Sequence, residues 1–187
     1  MLLFEDETDL LLYPPLRSGW ARRGEPFTVP LSGRNAKRVV FGAINPETGH
    51  RLFLPRIRGR SADFQAFLHT IHQHYHAWPM ALLLDENSSH TARQSQHTAA
   101  ELGMELLWLP KRSPELNPLE GLWGDGKDHV CANRQYDTIE EEVTRFVSYL
   151  DGLPANAALE KGGVLSDDFW LKSQCQETYC DPLSVVT

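Results

Sequence analysis

Met80-Ala-Leu-Leu-Leu-Asp-Glu-Asn87 and, further on, Trp108-Leu-Pro-Lys-Arg-Ser-Pro-Glu-Leu-Asn-Pro-Leu-Glu120 decide how the rest of the chain is read. The first is a short, wholly apolar run, the pattern of a strand covered on both faces, and it stops at Asp85. The second reads as a strand tail, a proline-bounded loop and a helix start. Asn117 suits an N-cap, Pro118 the first helical position, and Glu120 falls at the third. Ligands of open α/β sheets gather beyond the carboxyl ends of strands, so two acids delivered this way can converge on one site. Convergent carboxylates suit Mg²⁺ or Mn²⁺. Each acid also has a plainer reading. Asn117 and Glu120 have the spacing of a capping box, and Asp85 is placed to cap a helix starting near Ser88 or Ser89.

Outward from these blocks the elements follow from periodicity. Residues 1–8 read as a first strand, with Leu2 and Phe4 opposing Leu3 and Glu5, and Asp6 near its end. Trp20 to Pro30 reads as loosely paired. Val39 to Ile44 and Arg51 to Ile57 flank the breaker-rich Asn45-Pro-Glu-Thr-Gly-His50, a hairpin whose second strand Pro55 sends to a sheet edge. From Ser61, an apolar stripe of Phe64, Phe67, Leu68, Ile71 and Tyr75 marks a helix. Its His69, His72, His74 and His76 lack accompanying carboxylates and read as a solvated face. A helix over about Ser89 to Leu102 ends at Gly103, and Met104 to Leu109 is another apolar strand. The helix after Glu120 packs Leu119, Leu122 and Trp123 inward, yet Gly121, Gly124 and Gly126 each cost it roughly 1 kcal/mol relative to Ala. That predicts a soft platform for the acid. Thr138 and Glu141 open a last helix with its stripe at Ile139, Val143, Phe146, Val147 and Leu150. Residues 153–187 read as a partly docked tail anchored by Phe169-Trp170-Leu171.

Composition sets the bounds. The 187 residues are 41% apolar, enough for one sizeable core, and no run approaches the ~18 apolar residues of a membrane span. Cys131, Cys175 and Cys180 are an odd, widely spaced set with no zinc-type pairing, which predicts free thiols in a reducing compartment. Met1-Leu-Leu-Phe-Glu-Asp6 lacks the basic start of a signal peptide, so a cytoplasmic location is expected. The net charge of −7 is unevenly spread: residues 17–60 hold ten Lys and Arg against only Glu25 and Glu47. That basic third, with Arg22 and Arg23 foremost, is a candidate phosphate-facing surface, the alternative being a solvated sheet surface.

Taken together, these features resemble the integrase-like catalytic domain of the mariner-like superfamily of cut-and-paste transposases, in particular its bacterial insertion-sequence 630 branch. The carriers are Phe4-Glu-Asp-Glu7, Trp20-Ala-Arg-Arg-Gly24, Leu84-Asp85 with His90 five positions on, and Ser113-Pro-Glu-Leu-Asn-Pro-Leu-Glu120 followed by Trp123 and Lys127. Thirty-four residues separate Asp85 from Glu120, the interval that superfamily shows. The resemblance implies a ribonuclease-H-like α/β fold, a mixed five-stranded sheet flanked by helices, over residues 1–152. It implies that Asp6, Asp85 and Glu120 are the catalytic, metal-binding triad for two Mg²⁺ or Mn²⁺ ions. One ion would activate water and the other stabilise the leaving 3′ oxygen, and the freed 3′-OH would then attack target DNA. Lys111, Arg112 and Lys127 join Arg22 and Arg23 as candidate contacts to double-stranded DNA, with His90 and Asn117 behind the acids. A homodimer in the synaptic complex is implied. Because the chain starts at the first catalytic strand, without the helix-turn-helix module that recognises transposon ends in that family, the resemblance implies either a split or truncated element or one half of a pair of overlapping reading frames, the module in the latter case lying on a separately encoded polypeptide. One departure is Glu86, where the family has Asn directly after the second Asp. With the missing end-recognition module and the glycine-rich helix, it keeps open an inactive remnant that only binds DNA or a partner. Another nuclease of the same fold is the third reading.

Overall fold

The structure, a computed structural model, describes residues 1–76 and 78–172. Cys175 and Cys180 lie outside the described residues, and Cys131 is a buried free thiol. Strands β1 (Leu2–Leu11), β2 (Lys37–Ile44) and β3 (Arg51–Arg56) precede helix α1 (Ser61–Tyr75). Next come β4 (Met80–Leu84), α2 (Ser88–Thr91), α3 (Arg93–Glu101) and β5 (Met104–Trp108). After a single 3₁₀ turn, Pro114–Leu116, the chain closes with α4 (Pro118–Gly126), a π-helical turn (Lys127–Cys131), α5 (Ile139–Gly152) and α6 (Ala155–Lys161).

The strand order is β3-β2-β1-β4-β5. β1, β2 and β3 pair antiparallel, whereas β1–β4 and β4–β5 are parallel. This is the mixed five-stranded sheet expected, ribonuclease-H-like in order, with Pro55 on the edge strand β3 where a missing ladder donor does no harm. Each face carries its own core. Leu3, Phe41, Leu82 and Leu84 pack on Phe64, Phe67, Leu68 and Ile71 of α1. Phe4, Val40, Ile44 and Leu83 pack on Leu119, Leu122 and Trp123 of α4 and on Phe146 and Leu150 of α5. The two-residue period of a strand produces this division, sending Leu3 to one face and Phe4 to the other. No helix among the described residues is long and apolar enough to cross a membrane.

Four local expectations are corrected. β1 does not end by residue 8 but runs to Leu11, because β2 keeps pairing with it as far as Leu11↔Lys37; Asp6 is therefore mid-strand. Trp20 to Pro30 forms no strand. Its loop is tied down instead by Arg17, whose N–H donates to Asn133 Oδ1 at 2.9 Å and whose guanidinium meets Asp128 at 2.8 Å. The helix expected over Ser89 to Leu102 is two helices, since Ala92 takes an extended ψ of 134° between them. The segment read as a turn-rich tail contains α6, whose Ala158 and Leu159 join the α4 core, and Trp170 Nε1 donates to the Leu116 carbonyl at 2.9 Å.

Candidate active site

The parallel register of β1 and β4 pairs Phe4 with Leu83. Continued two residues, it sets Asp6 abreast of Asp85, the first residue past the end of β4. Glu120 arrives from the first turn of α4. The three acids line one cavity of about 100 Å³, together with Asn117, Arg112 and Ser113. Asn117 is the cap of α4: its Oδ1 accepts from Leu119 N at 3.1 Å, while its Nδ2 donates to the Glu5 carbonyl at 2.8 Å, fastening the helix start to β1. Its own N–H is taken by the Pro114 carbonyl at 3.0 Å, so the capping-box return from Glu120 is not made. Glu120 makes no side-chain hydrogen bond among the described residues and faces the cavity. Nor does Asp85 cap α2. Asn87 does, its Oδ1 accepting from Ser89 N at 3.1 Å.

Each of the two Asp side chains is held from behind. Trp123, buried in the α4 core, also donates its Nε1 to Asp6 Oδ2 at 2.9 Å. It can reach because the strand partner of Asp6 on β2 is Gly42, where a Cβ would fall 2.5 Å from the indole. Asp85 Oδ1 accepts from Asn87 N at 3.0 Å and lies 3.0 Å from His90 Nδ1, which is also 3.1 Å from the Asp85 carbonyl. On its other side, His90 Nε2 is 3.1 Å from Glu7 Oε2 and 3.4 Å from Glu5 Oε2. Glu5 and His90 are wholly buried.

The electrostatics follow from this crowding. Burial, then the neighbouring Glu120 and Glu7 carboxylates, push Asp6 up to about 8. The His90 bond holds Asp85 below the usual carboxylate range despite partial burial. Burial drives Glu5 well above that range. It also disfavours a charged imidazole, but the Glu5 carboxylate, the bond to Asp85 and the nearby Glu7 carboxylate outweigh it and raise His90 to about 11. Three acids that repel one another, one of them kept protonated by burial and by that repulsion, form a donor set suited to hard divalent cations.

A pH prediction follows. Asp6 stays protonated in the folded chain up to about 8 but ionises near 4 once unfolded, so its stabilising contribution is full below about 4 and is lost as pH rises through about 8. A cation in the cavity needs the ionised form. The rise in melting temperature caused by Mg²⁺ should therefore be larger at pH 8.5 than at pH 6, read by thermal denaturation with and without the ion. Equal rises at both pH values would contradict this placement of the charge.

The remaining candidates are dispersed. Arg112 lines the cavity with a left-handed φ of 61°, a conformation that costs a non-glycine residue about 1–3 kcal/mol. Lys111 and Glu86 pair at 2.8 Å, which turns the extra carboxylate of Glu86 toward a cation and leaves it off the cavity wall. Arg22 and Arg23 are exposed in the loop after β1 and make no ion pair among the described residues. Much of the basic third is otherwise spent inside the molecule: Lys37 with Asp9, Arg38 with Glu140, Arg56 with Asp63. Lys127 sits away from the cavity, in the π-helical turn beside Cys131 and Glu142. Sequence reading missed Glu5 and Glu7 as parts of the site, and took Trp123 for core alone. The alternation of Leu3, Glu5 and Glu7 on one strand face was the available signal for the first two.

A ribonuclease-H-like sheet that brings three carboxylates into one cavity, from the middle of β1, from just past β4 and from the first turn of α4, defines an acid-triad class of α/β domain. More particularly, the chain belongs to the DDE superfamily endonuclease family, whose profile matches residues 1–142. It is 29% identical over 152 residues to the insertion element IS630 uncharacterized 39 kDa protein of Shigella sonnei, covering 80% of this chain but 44% of that protein. Among solved structures it resembles a pre-cleavage Mos1 transpososome at TM-score 0.70 and 18% identity, over 94% of this chain and 55% of that one. It also resembles the catalytic domain of Mos1 mariner transposase, at TM-score 0.59 and 17% identity over 86% and 74% of the two chains. Mos1 paired-end complexes are known with Mg and with Mn. The chain thus spans about half the length of the full-length relatives it matches, and the expected family resemblance and fold are both met.

Proposed function

We propose that this chain is the catalytic domain of an insertion-sequence transposase, performing Mg²⁺- or Mn²⁺-dependent DNA strand cleavage and strand transfer. The observation that carries the reading is the convergence of Asp6, Asp85 and Glu120, from three separate elements, on one cavity. Bound divalent ions would supply Lewis-acid activation of water and neutralise charge developing on the phosphate and the leaving 3′ oxygen. The protein's part is to hold their ligands still. Trp123 fixes Asp6, His90 and the Asn87 amide fix Asp85, and Asn117 pins the α4 start that carries Glu120. Arg112, on the cavity wall, is placed to meet a phosphate. Arg22 and Arg23 extend the contact along the duplex, and a synaptic homodimer belongs to the same proposal. The decisive assay is nicking of supercoiled plasmid by the purified chain with Mg²⁺ or Mn²⁺ against chelator. Absence of nicking with either metal, with DNA binding retained, would favour the remnant that only binds.

The DNA contact has its own prediction. Arg22→Glu with Arg23→Glu should weaken binding uniformly across sequences. It should also reduce the slope of log affinity against log salt by up to about 2, since each phosphate contact contributes about 0.9. Affinity measured at several salt concentrations checks it, and an unchanged slope would assign both residues to solvated surface.

A further inference from the structure

The acids of β1 divide between the two faces of the sheet. Asp6 faces α4 and the cavity, whereas Glu5 and Glu7, one position to either side, point with Leu3 toward α1 and α2. There Glu5, Glu7 and His90 each offer one ligand atom, all within 4.8 Å of one another. Their hydrogen bonding supplies a second observation. Both oxygens of Glu5, Glu7 Oε2 and His90 Nε2 are buried without a hydrogen bond among the described residues, and the Glu5 and His90 side chains have no exposed surface at all. Buried polar atoms are almost always bonded, so four orphans gathered at one point call for a common partner.

The distances say what kind. His90 Nε2 lies 3.1 Å from Glu7 Oε2 and 3.4 Å from Glu5 Oε2, yet these atoms are not aligned for hydrogen bonds with each other. Ligand atoms each about 2.0–2.2 Å from a single ion stand about 3.0–3.5 Å apart in tetrahedral or octahedral shells. The other ring nitrogen is already engaged, Nδ1 lying 3.1 Å from the Asp85 carbonyl and 3.0 Å from its carboxylate. A histidine so bonded by Nδ1–H presents its Nε2 lone pair as a metal ligand in a fixed direction. A bound ion would displace the Nε2 proton that the metal-free site favours, and with the imidazole then neutral the two carboxylates balance one divalent charge.

We propose that Glu5, Glu7 and His90 bind one divalent transition ion, Zn²⁺ or Mn²⁺, on the α1–α2 face of the sheet, apart from the Asp6–Asp85–Glu120 cavity. The imidazole nitrogen selects such an ion over Mg²⁺, which prefers an all-oxygen shell. The ion ties β1 to α2 and, through His90, sets the orientation of Asp85. The proposal stands whether or not the chain cleaves DNA.

The test uses the full chain carrying Asp6→Asn and Glu120→Gln, which disables the cavity, loaded with Zn²⁺ and dialysed against buffer containing excess Mg²⁺. Elemental analysis should find one Zn²⁺ retained per chain, and Co²⁺ in its place should give visible ligand-field absorption. Adding Glu7→Gln, or separately Glu5→Gln, should weaken Zn²⁺ binding at least about tenfold, the loss seen even for outer-shell partners. Circular dichroism confirms folding, and if one variant fails to fold the other decides. No Zn²⁺ retained by the cavity variant, or undiminished retention in a folded Glu5→Gln or Glu7→Gln form, would overturn the site.

Discussion

Asp6→Asn and Asp85→Asn should each leave a folded protein that no longer nicks DNA with Mg²⁺. Removing one neutral hydrogen-bond donor from a stabilised transition state costs roughly 10²–10³ in rate. Removing the charge of a metal ligand should cost more, at least about 10³-fold, or about 4 kcal/mol of barrier at 1.36 kcal/mol per decade. The folds should survive for different reasons. In the Asp6→Asn protein the new amide oxygen would still accept the Trp123 Nε1–H, and a side chain that burial and its acidic neighbours already disfavour as an anion would stay neutral, so the metal-free variant should melt no lower than the parent. In the Asp85→Asn protein the amide oxygen would likewise still accept from Asn87 N, and a side chain 58% exposed has little burial to lose. Supercoiled-plasmid nicking beside thermal melting checks both halves. Nicking at the parental rate by either folded variant would remove that residue from the triad.

The two outer blocks of the site were legible because each obeys a local rule. Asp85 ends a run too apolar to be anything but a covered strand, and Asn117-Pro118 spells a helix start that puts Glu120 in the first turn. Asp6 needed the family resemblance, since an Asp-Glu pair in a short strand has no local mark. What could not be read depends on register. Until β4 is known to lie parallel to β1 with Phe4 beside Leu83, nothing tells Glu5 and Glu7 that their neighbours are His90 and the end of β4. The break at Ala92 had no signal either, because Ala is the best of helix formers, yet its ψ here is an extended 134°. Likewise the indole of Trp123 was legible as core from its spacing, while its hydrogen bond to Asp6 depended on a distant glycine of β2, Gly42.

The glycines of α4 show how packing reverses a propensity argument. Read alone, Gly121, Gly124 and Gly126 loosen the helix that carries Glu120. In the fold, a Cβ at Gly121 would stand 2.2 Å from the Lys161 carbonyl oxygen and 3.2 Å from Gly162 Cα, and one at Gly126 2.7 Å from Phe146 Cε2. Both glycines are contact points, one letting the end of α6 against α4 and the other seating α5. Only Gly124 has open space around it, and its backbone is ordinary helix. The outcomes should therefore have opposite signs. Gly124→Ala should gain up to about 1 kcal/mol of stability, a rise of about 2–4 °C for a chain of this size. Gly121→Ala meets backbone, which cannot rotate aside, and overpacking of that kind costs about 1–3 kcal/mol, a fall of several degrees even after the helix gain. Because Gly121 adjoins Glu120, the displacement of α6 should also blunt the thermal shift produced by Mg²⁺, whereas Gly124→Ala should keep or sharpen it. Parallel melts of the parent and both variants, with and without Mg²⁺, distinguish the two glycines. A Gly121→Ala protein as stable as the parent would mean that α6 does not buttress the helix of Glu120, and a destabilised Gly124→Ala would mean that the space beside it is needed.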